Sequence, residues 1–308
     1  MNTTRNPSAF PLFEEGARGS LRRGSLWAVA LLSALSLYAQ VVEVYKAGNI
    51  LYSCHDADSI VFRALPKDAF SVSATKQVRF SKGNLQYTQS TQTWSFADNQ
   101  YDIIGEANIS NGVLADKIDL FGWSGSTATA QWGVGTSENY SDYSGDFLDW
   151  GKNIGDGNTW YTLTSAEWGY LIDERTNADQ LKGVARIQLD GNQYANGLIL
   201  LPDTWTCPEG VTFKSGFASE YSIQAYADYQ TFTLADWQKL ESAGAVFFPA
   251  SGVRIGTIVY SVMRYSYCWS ATPDGSVYAN VFLFRSDGAY LSHNDRSTMQ
   301  AVRLVRNL

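Results

Sequence analysis

Helix-forming sequence is scarce in this chain of 308 residues, and that scarcity constrains the fold more than any other feature. Only two segments combine a helix start signal with apolar residues at helical spacing. From Phe70 onward, short apolar or aromatic runs alternate with Gly, Ser, Thr and Asn, which is typical of short strands joined by turns. We therefore predict an α+β fold of short strands, two helices and long loops.

The first predicted helix spans residues 165–174. Thr164 and Glu167 have the spacing of a capping box, in which each side chain binds a backbone N–H group at the start of the helix. Trp168 lies on the same face as the other apolar residues of this segment. We expect the helix to pack against the core through Trp168.

The second predicted helix spans residues 234–243. Thr233 is its expected N-cap, and Gly244 follows at the position where glycine commonly ends a helix. Trp237 belongs to its apolar stripe, so we expect that side chain in the core as well. By contrast, the Gly-, Ser- and Asp-rich stretch at 121–160 is predicted to be long and partly irregular.

The charge and the metal-binding residue types of the chain argue against several classes of function. The formal net charge is −7, whereas a nucleic-acid-binding surface needs clustered Lys and Arg. Two histidines (His55, His293) and three cysteines (Cys54, Cys207, Cys268) are too few for a His-rich zinc site or a disulfide framework. We find no catalytic constellation, and we expect no enzymatic activity, no bound metal and no cofactor.

The amino terminus has the pattern of a secretory signal peptide over residues 1–39. Four arginines precede an apolar run at 26–37, and Ala39 is the small residue expected before the cleavage point. The run is too short to span a bilayer as a stable helix. We therefore predict an exported protein, at the cell surface, in the periplasm or secreted, with no membrane span in the mature chain.

Residues 40–67 are predicted to form a small β-hairpin and a linker. Two strand-like runs, at 41–45 and 50–52, flank a glycine-containing turn, and a third short strand is expected at 58–62. A Leu-Pro-Lys-Asp segment at 65–68 then breaks the pattern, and we place a domain boundary there.

Four segments of the remaining domain, 68–308, match the motifs of a known family. They are FSKGNLQY at 80–87, LTSAEW at 163–168, FPASGVR at 248–254, and a closing stretch with CWSAT at 268–272 and AVRLVR at 301–306. Together they resemble the bacterial FISUMP-type paralogous domains, which share the C-type-lectin-like fold of the sulfatase-modifying (formylglycine-generating) proteins. The resemblance implies a lectin-like domain of short antiparallel strands that presents a ligand-binding surface, with an exposed protein or glycan as its partner.

The last 50 residues also resemble the variable proteins of diversity-generating retroelements, which display a hypervariable ligand-binding face on a lectin-like scaffold. In those proteins, randomised Asn-type codons reach many amino acids but never Lys, Glu, Gln, Met or Trp. Lys, Glu and Gln are 33 of the 308 residues here, yet none occurs in the 58 residues between Glu241 and Gln300. Roughly six are expected there at that composition. The resemblance therefore implies that the carboxyl-terminal surface is hypervariable.

The candidate binding residues follow from this resemblance, which places Phe282 and Phe284 at buried strand positions. Alternation along the strand then predicts that its other side chains face outward, and the segment 290–297 is predicted to be a loop. Tyrosines supply contact area at low entropic cost, while Ser, Asn and Asp supply adaptable hydrogen bonds. The residues predicted to form one exposed ligand-binding patch are Arg264, Tyr265, Asp274, Ser276, Tyr278, Val281, Leu283, Arg285, Tyr290, Ser292, His293, Asn294, Asp295 and Ser297.

Two other functions stay open at this point. A formylglycine-generating type of enzyme needs a close pair of reactive cysteines, and the surroundings of Cys207 and Cys268 do not reproduce that motif. A structural or fimbrial surface subunit would show an unpaired hydrophobic strand groove or a donor strand.

Overall fold

Short strands account for most of the regular structure in the computed structural model of this chain, which describes residues 41–46, 49–55, 66–157 and 159–308. The chain divides into two compact units, Met1–Ala64 and Leu65–Leu308. The division falls at the segment where the sequence predicts a boundary. The predicted signal peptide and the strand expected at 58–62 lie outside the described residues.

The first unit contains the predicted hairpin. Its strands are β1 (Val41–Lys46) and β2 (Asn49–His55), which pair antiparallel from Val41 opposite His55 to Lys46 opposite Asn49. The hairpin prediction is therefore confirmed.

In the second unit, the described strands and helices are short. The strands are β3 (Phe70–Ser71), β4 (Gln77–Phe80), β5 (Leu85–Thr88), β6 (Thr93–Phe96), β7 (Ile109–Ser110), β8 (Val113–Leu114), β9 (Lys117–Ile118), β10 (Tyr161–Thr162), β11 (Lys182–Gln188), β12 (Tyr194–Leu200), β13 (Thr231–Thr233), β14 (Val246–Pro249), β15 (Val253–Ile255), β16 (Ile258–Tyr260), β17 (Tyr265–Asp274), β18 (Tyr278–Arg285), β19 (Gly288–Asp295) and β20 (Leu304–Asn307). The helices are α1 (Ser165–Gly169), α2 (Ile223–Tyr229) and α3 (Leu234–Ser242).

The described strands form several small sheets. Two sheets have four strands, in the orders β10-β20-β4-β3 and β13-β11-β12-β14. Two have three strands, β6-β5-β9 and β17-β18-β19, and β7-β8 and β15-β16 are two-stranded. All described pairs are antiparallel except β11 with β13. These sheets, together with three helices, confirm the α+β class.

Helix α1 begins as predicted. The Thr164 side chain accepts a hydrogen bond from the Glu167 N–H group, and the Glu167 carboxylate accepts one from the Thr164 N–H group at 2.8 Å. After Gly169 the chain continues as a π-helical turn over Tyr170–Glu174, so the predicted segment is helical throughout but changes its winding. Trp168 is fully buried, as predicted.

Helix α3 matches the second predicted helix to within one residue. Thr233 is its N-cap and accepts a hydrogen bond from the Asp236 N–H group. Gly244 follows the helix with a φ of +98°, a conformation that favours glycine. Trp237 is fully buried. Helix α2 was not predicted, because its seven residues are too few to display a periodic apolar stripe.

The second unit buries three hydrophobic cores, and the sheet β17-β18-β19 contributes to two of them. The first core includes Phe80, Trp168, Phe248, Cys268, Phe282 and Phe284. The second core includes Phe121, Trp123, Trp150, Trp269, Ala279 and Val281. The third core, under the sheet of β11 and β12, includes Ile187, Trp237 and Phe247.

The stretch at 121–160 is irregular, as predicted, but it is not a peripheral loop. Its described residues contain three short 3₁₀ turns, and Trp123 and Trp150 are fully buried in the second core. The Trp123 indole N–H donates to the Ser270 carbonyl oxygen at 3.1 Å, which fastens the stretch to β17. Buried indole rings therefore stabilise a segment that forms few strand-to-strand hydrogen bonds.

Trp269→Ala is expected to lower the free energy of unfolding by about 3–5 kcal/mol, because it empties a large site in the second core. Trp269 is fully buried, and its indole N–H donates to the Phe121 carbonyl oxygen at 2.8 Å. Chemical denaturation measures the change. Tyr278→Ala on the same sheet is the control; it is expected to stay within about 0.5 kcal/mol, since 44% of Tyr278 is exposed. Equal effects of the two substitutions would contradict this assignment of the core.

Candidate functional site

The predicted binding residues lie on or beside the sheet β17-β18-β19. Strand β18 is central and pairs with β17 on one side and with β19 on the other. The predicted loop at 290–297 is a strand as far as Asp295, because β19 pairs with β18 in an unbroken register from Gly288 to Asp295. Most of the predicted residues are therefore held by strands rather than by loops.

Val281 does not face outward, and this prediction was wrong. It lies opposite Trp269 and is fully buried in the second core. Phe282, the next residue, is buried on the other side of the sheet in the first core. Strand β18 thus passes between two cores. Successive side chains still point to opposite faces, but buried and exposed residues do not alternate where both faces are covered.

Ser297 is also buried rather than exposed. Its hydroxyl donates to the Asp295 carboxylate at 2.7 Å, and its backbone N–H donates to the same oxygen at 2.9 Å. Ser297 is only 6% exposed. It shapes the turn after β19 and does not offer a contact to a ligand.

The remaining predicted residues separate onto two opposite faces of the sheet. Residues directly opposite each other in an antiparallel pair share a face. Leu283 lies opposite both Tyr267 and Tyr290, and Arg285 lies opposite Tyr265, so these side chains share one face. Ser292 and Asn294 follow on the same face of β19 by alternation.

We call the aromatic part of this surface the tyrosine face and define it by Tyr221, Tyr265, Tyr267, Leu283, Arg285 and Tyr290. The rings of Tyr221 and Tyr265 stack with centroids 6.4 Å apart, and Tyr265 meets Tyr267 edge to face at 5.4 Å. The Arg285 guanidinium lies 4.9 Å from the Tyr221 ring centre and 5.4 Å from that of Tyr290. One arginine therefore joins the two ends of the tyrosine face.

Arg285 is further fixed by Asp287, whose carboxylate accepts two hydrogen bonds from its guanidinium, at 2.9 and 3.1 Å. Burial lowers the pKa of Arg285, but the neighbouring Asp287 carboxylate and Tyr290 outweigh burial, so the net pKa is raised. Arg285 therefore stays cationic at neutral pH. Arg264 is exposed, and its guanidinium lies 5.5 Å from the Tyr221 ring centre.

Two hydroxyls of the tyrosine face, those of Tyr221 and Tyr267, stay protonated at neutral pH. Burial raises the pKa of Tyr221 and of Tyr267, and the neighbouring Tyr265 adds to the shift. A tyrosine in this state combines an apolar ring with a hydrogen-bond donor, which suits an amphipathic binding surface.

Tyr221 and Tyr267 were missed by the sequence analysis. Tyr221 reaches the sheet because its loop is tied to Ser286, whose hydroxyl accepts from the Ser222 N–H group at 3.1 Å and donates to the Glu220 carbonyl oxygen at 2.7 Å. These contacts join residues more than 60 positions apart, so no local pattern could have found Tyr221. Tyr267 could have been found, because it alternates with the predicted Tyr265.

The opposite face carries Asp274, Tyr278 and His293. The His293 Nδ1 atom lies 2.8 Å from the Asp274 carboxylate, and the His293 and Tyr278 rings are 5.2 Å apart. Ser276 is exposed in the turn between β17 and β18. The single patch that was predicted is therefore two surfaces, divided by the thickness of the sheet.

The two described cysteine thiols occupy different environments. Cys207 is exposed and Cys268 is buried, and neither forms a disulfide. Burial raises the pKa of the Cys268 thiol to about 12, so it stays protonated and is a poor nucleophile at neutral pH.

The described residues offer neither a cluster of metal ligands nor a helix of membrane-spanning length. No group of three or more His, Cys, Asp or Glu side chains there is placed to hold a metal ion. The described helices, of five to nine residues, are all too short to cross a bilayer.

Comparisons with protein-family models, with curated proteins and with solved structures found no match to this chain.

Iodoacetamide at pH 8 is expected to alkylate Cys207 in the native protein and to leave Cys268 unmodified, because Cys207 is exposed whereas Cys268 is buried and burial raises the pKa of its thiol to about 12. Peptide mapping by mass spectrometry measures each site. Labelling in guanidinium chloride, which should modify both cysteines, is the control. Rapid labelling of native Cys268 would contradict its burial.

Proposed function

We propose that this chain is an exported, non-enzymatic ligand-binding protein, in which a lectin-like scaffold presents the tyrosine face to an exposed protein or glycan. One observation carries the proposal, namely the cluster of four tyrosine rings and two arginines, of which Tyr265, Tyr267, Tyr290 and Arg285 are held by strands. Tyr and Arg are the residue types that dominate binding energy at protein interfaces. Aromatic rings also provide stacking platforms for amphipathic ligands.

The burial pattern supports a hypervariable surface on the same scaffold. Only Met263, Trp269 and Met299 in the 58-residue window lie outside the set that randomised Asn-type codons reach. Trp269 and Met299 are fully buried, and Met263 is half-buried. The exposed residues of β17 and β19, in contrast, all belong to the reachable set. The division between fixed interior and changeable surface is what a diversified binding protein needs.

The state of the thiols favours binding over the formylglycine-generating alternative. That chemistry needs a reactive cysteine pair, whereas Cys268 is buried and protonated in the first core and Cys207 is on the surface. Among the side chains that the structure describes, neither thiol has a second reactive thiol as its partner.

Tyr290→Ala is expected to weaken binding by roughly 5- to 150-fold, which corresponds to about 1–3 kcal/mol for an aromatic anchor. The full chain is screened against a glycan array and a displayed library of random twelve-residue peptides, and the affinity of the selected glycan or peptide is then measured for each variant. Thermal unfolding is followed in parallel, and it should barely change.

Tyr278→Ala is the matched control, because Tyr278 is 44% exposed and Tyr290 is 43% exposed, on opposite faces of one sheet. It is expected to leave the affinity unchanged. Binding that survives Tyr290→Ala but is lost in Tyr278→Ala would place the site on the other face and refute the proposal.

A further inference from the structure

The outer edge of β19 is the feature from which we draw a new inference. Arg296 N–H donates to the Val277 carbonyl oxygen at 3.0 Å, directly beyond the pair formed by Tyr278 and Asp295. Backbone groups in an antiparallel ladder point alternately toward and away from the neighbouring strand. The residues of β19 whose N–H and C=O groups point away from β18 are therefore Ala289, Leu291 and His293.

The opposite edge of the sheet is β17. Its backbone groups alternate in the same way, and the outward ones are already hydrogen-bonded to another segment of the chain. Trp269 N–H donates to the Ala301 carbonyl oxygen at 3.0 Å, and Ala301 N–H donates to the Tyr267 carbonyl oxygen at 3.1 Å. Both Trp269 and Tyr267 therefore direct their backbone groups away from β18. The closing segment of the chain thus covers β17, while nothing equivalent covers β19 within the described residues.

The outward backbone groups of Ala289, Leu291 and His293 have no hydrogen-bond partner among the described residues. Natural sheets usually protect such an edge with Lys, Pro or a bulge. Strand β19 has the sequence GAYLSHND, and its register with β18 runs without a bulge over eight residues. The edge is open, regular and unprotected.

Two apolar side chains flank this edge, one on each face. Tyr290 is 43% exposed on the tyrosine face, and Leu291 is 41% exposed on the opposite face. A strand added beside β19 would place alternate side chains over each of them. An extended peptide satisfies the free backbone groups and covers both side chains, whereas a glycan offers no alternating donors and acceptors at strand spacing.

The charges beside the edge indicate the character of that peptide. The Asp287 carboxylate is paired with the Arg285 guanidinium and the Asp274 carboxylate contacts His293 Nδ1, whereas the Asp295 carboxylate accepts two hydrogen bonds from Ser297 and, within the described residues, has no Lys or Arg partner. The chain as a whole carries a net charge of −7. Antiparallel self-pairing centred on Leu291 would bring Asp295 of one copy opposite Asp287 of the other, so a second copy of this chain fits poorly.

We propose that β19 captures an extended, basic segment of a partner protein as an added strand, with apolar side chains of that segment over Tyr290 and Leu291. This inference rests on the proposed function and names its partner class. The hydrogen bonds between the backbone of β19 and that of the added strand then orient the peptide, and the tyrosine face supplies contact area beside them.

The test is an N-methyl scan of a peptide selected from the random twelve-residue library with the full wild-type chain. Peptides enriched in alternating apolar residues with a Lys or Arg are expected. Methylation of every second backbone nitrogen should lower the affinity about tenfold or more, because it removes a ladder hydrogen bond, while the intervening positions tolerate it. A selected peptide without this two-residue period, or the recovery of no peptide, would overturn the inference.

A pair of variants tests the same edge from the protein side. His293→Pro removes an outward N–H group and should abolish peptide binding, while His293→Ala loses the same side-chain contacts but keeps the N–H group and should bind. Equal affinities of the two variants would refute the added strand. The two proposals fail separately. If the protein binds a glycan and Tyr290→Ala loses that binding, only the proposal for the tyrosine face is supported. If the protein binds a peptide and only His293→Pro loses that binding, only the proposal for the strand edge is supported.

Discussion

The pairing of β17 with β18 is the interaction on which the rest of the second unit depends. Cys268 lies opposite Phe282 and faces the first core, whereas Trp269 lies opposite Val281 and faces the second. Two adjacent residue pairs thus anchor two cores on opposite sides of one sheet. The Trp168 ring stacks on Phe282 at 4.6 Å from one side. The irregular stretch with Trp123 covers the other side, so the removal of either pair would open the core that the pair faces.

This arrangement also explains why the sheet has free surface where it does. Each core covers only part of its face, because β18 crosses from one core to the other along its length. The half of each face that the cores leave open carries the tyrosine face on one side and the contacts of Tyr278 with His293 on the other. Tyr265, Tyr267 and Tyr290 are therefore held by strands, and Tyr221 is held by the contacts of its loop with Ser286.

The sequence was informative where local chemistry decides the outcome. Thr164 with Glu167 and Thr233 with Gly244 define helix ends through contacts within a few residues, and both helices occur as predicted. The hairpin of β1 and β2 is local in the same sense. The errors at Val281 and Ser297 arose because burial there depends on distant partners, Trp269 for the first and the turn geometry around Asp295 for the second. Tyr221 was missed for the same reason, since only the contact of its loop with Ser286 brings it to the site.

A binding surface built on strands has a consequence for how it can change. The side chains of Tyr290 and Ser292 are exposed, so substitutions there alter contact chemistry at small cost in stability. The backbone ladder beneath them does not depend on which side chains they carry, because its hydrogen bonds join main-chain groups. A free edge at β19 extends this logic to the ligand, since main-chain pairing orients an extended peptide whatever its sequence. In the proposed mode of binding, specificity lies in the few side chains beside the edge, and these are the positions at which variation would redirect binding without rebuilding the fold.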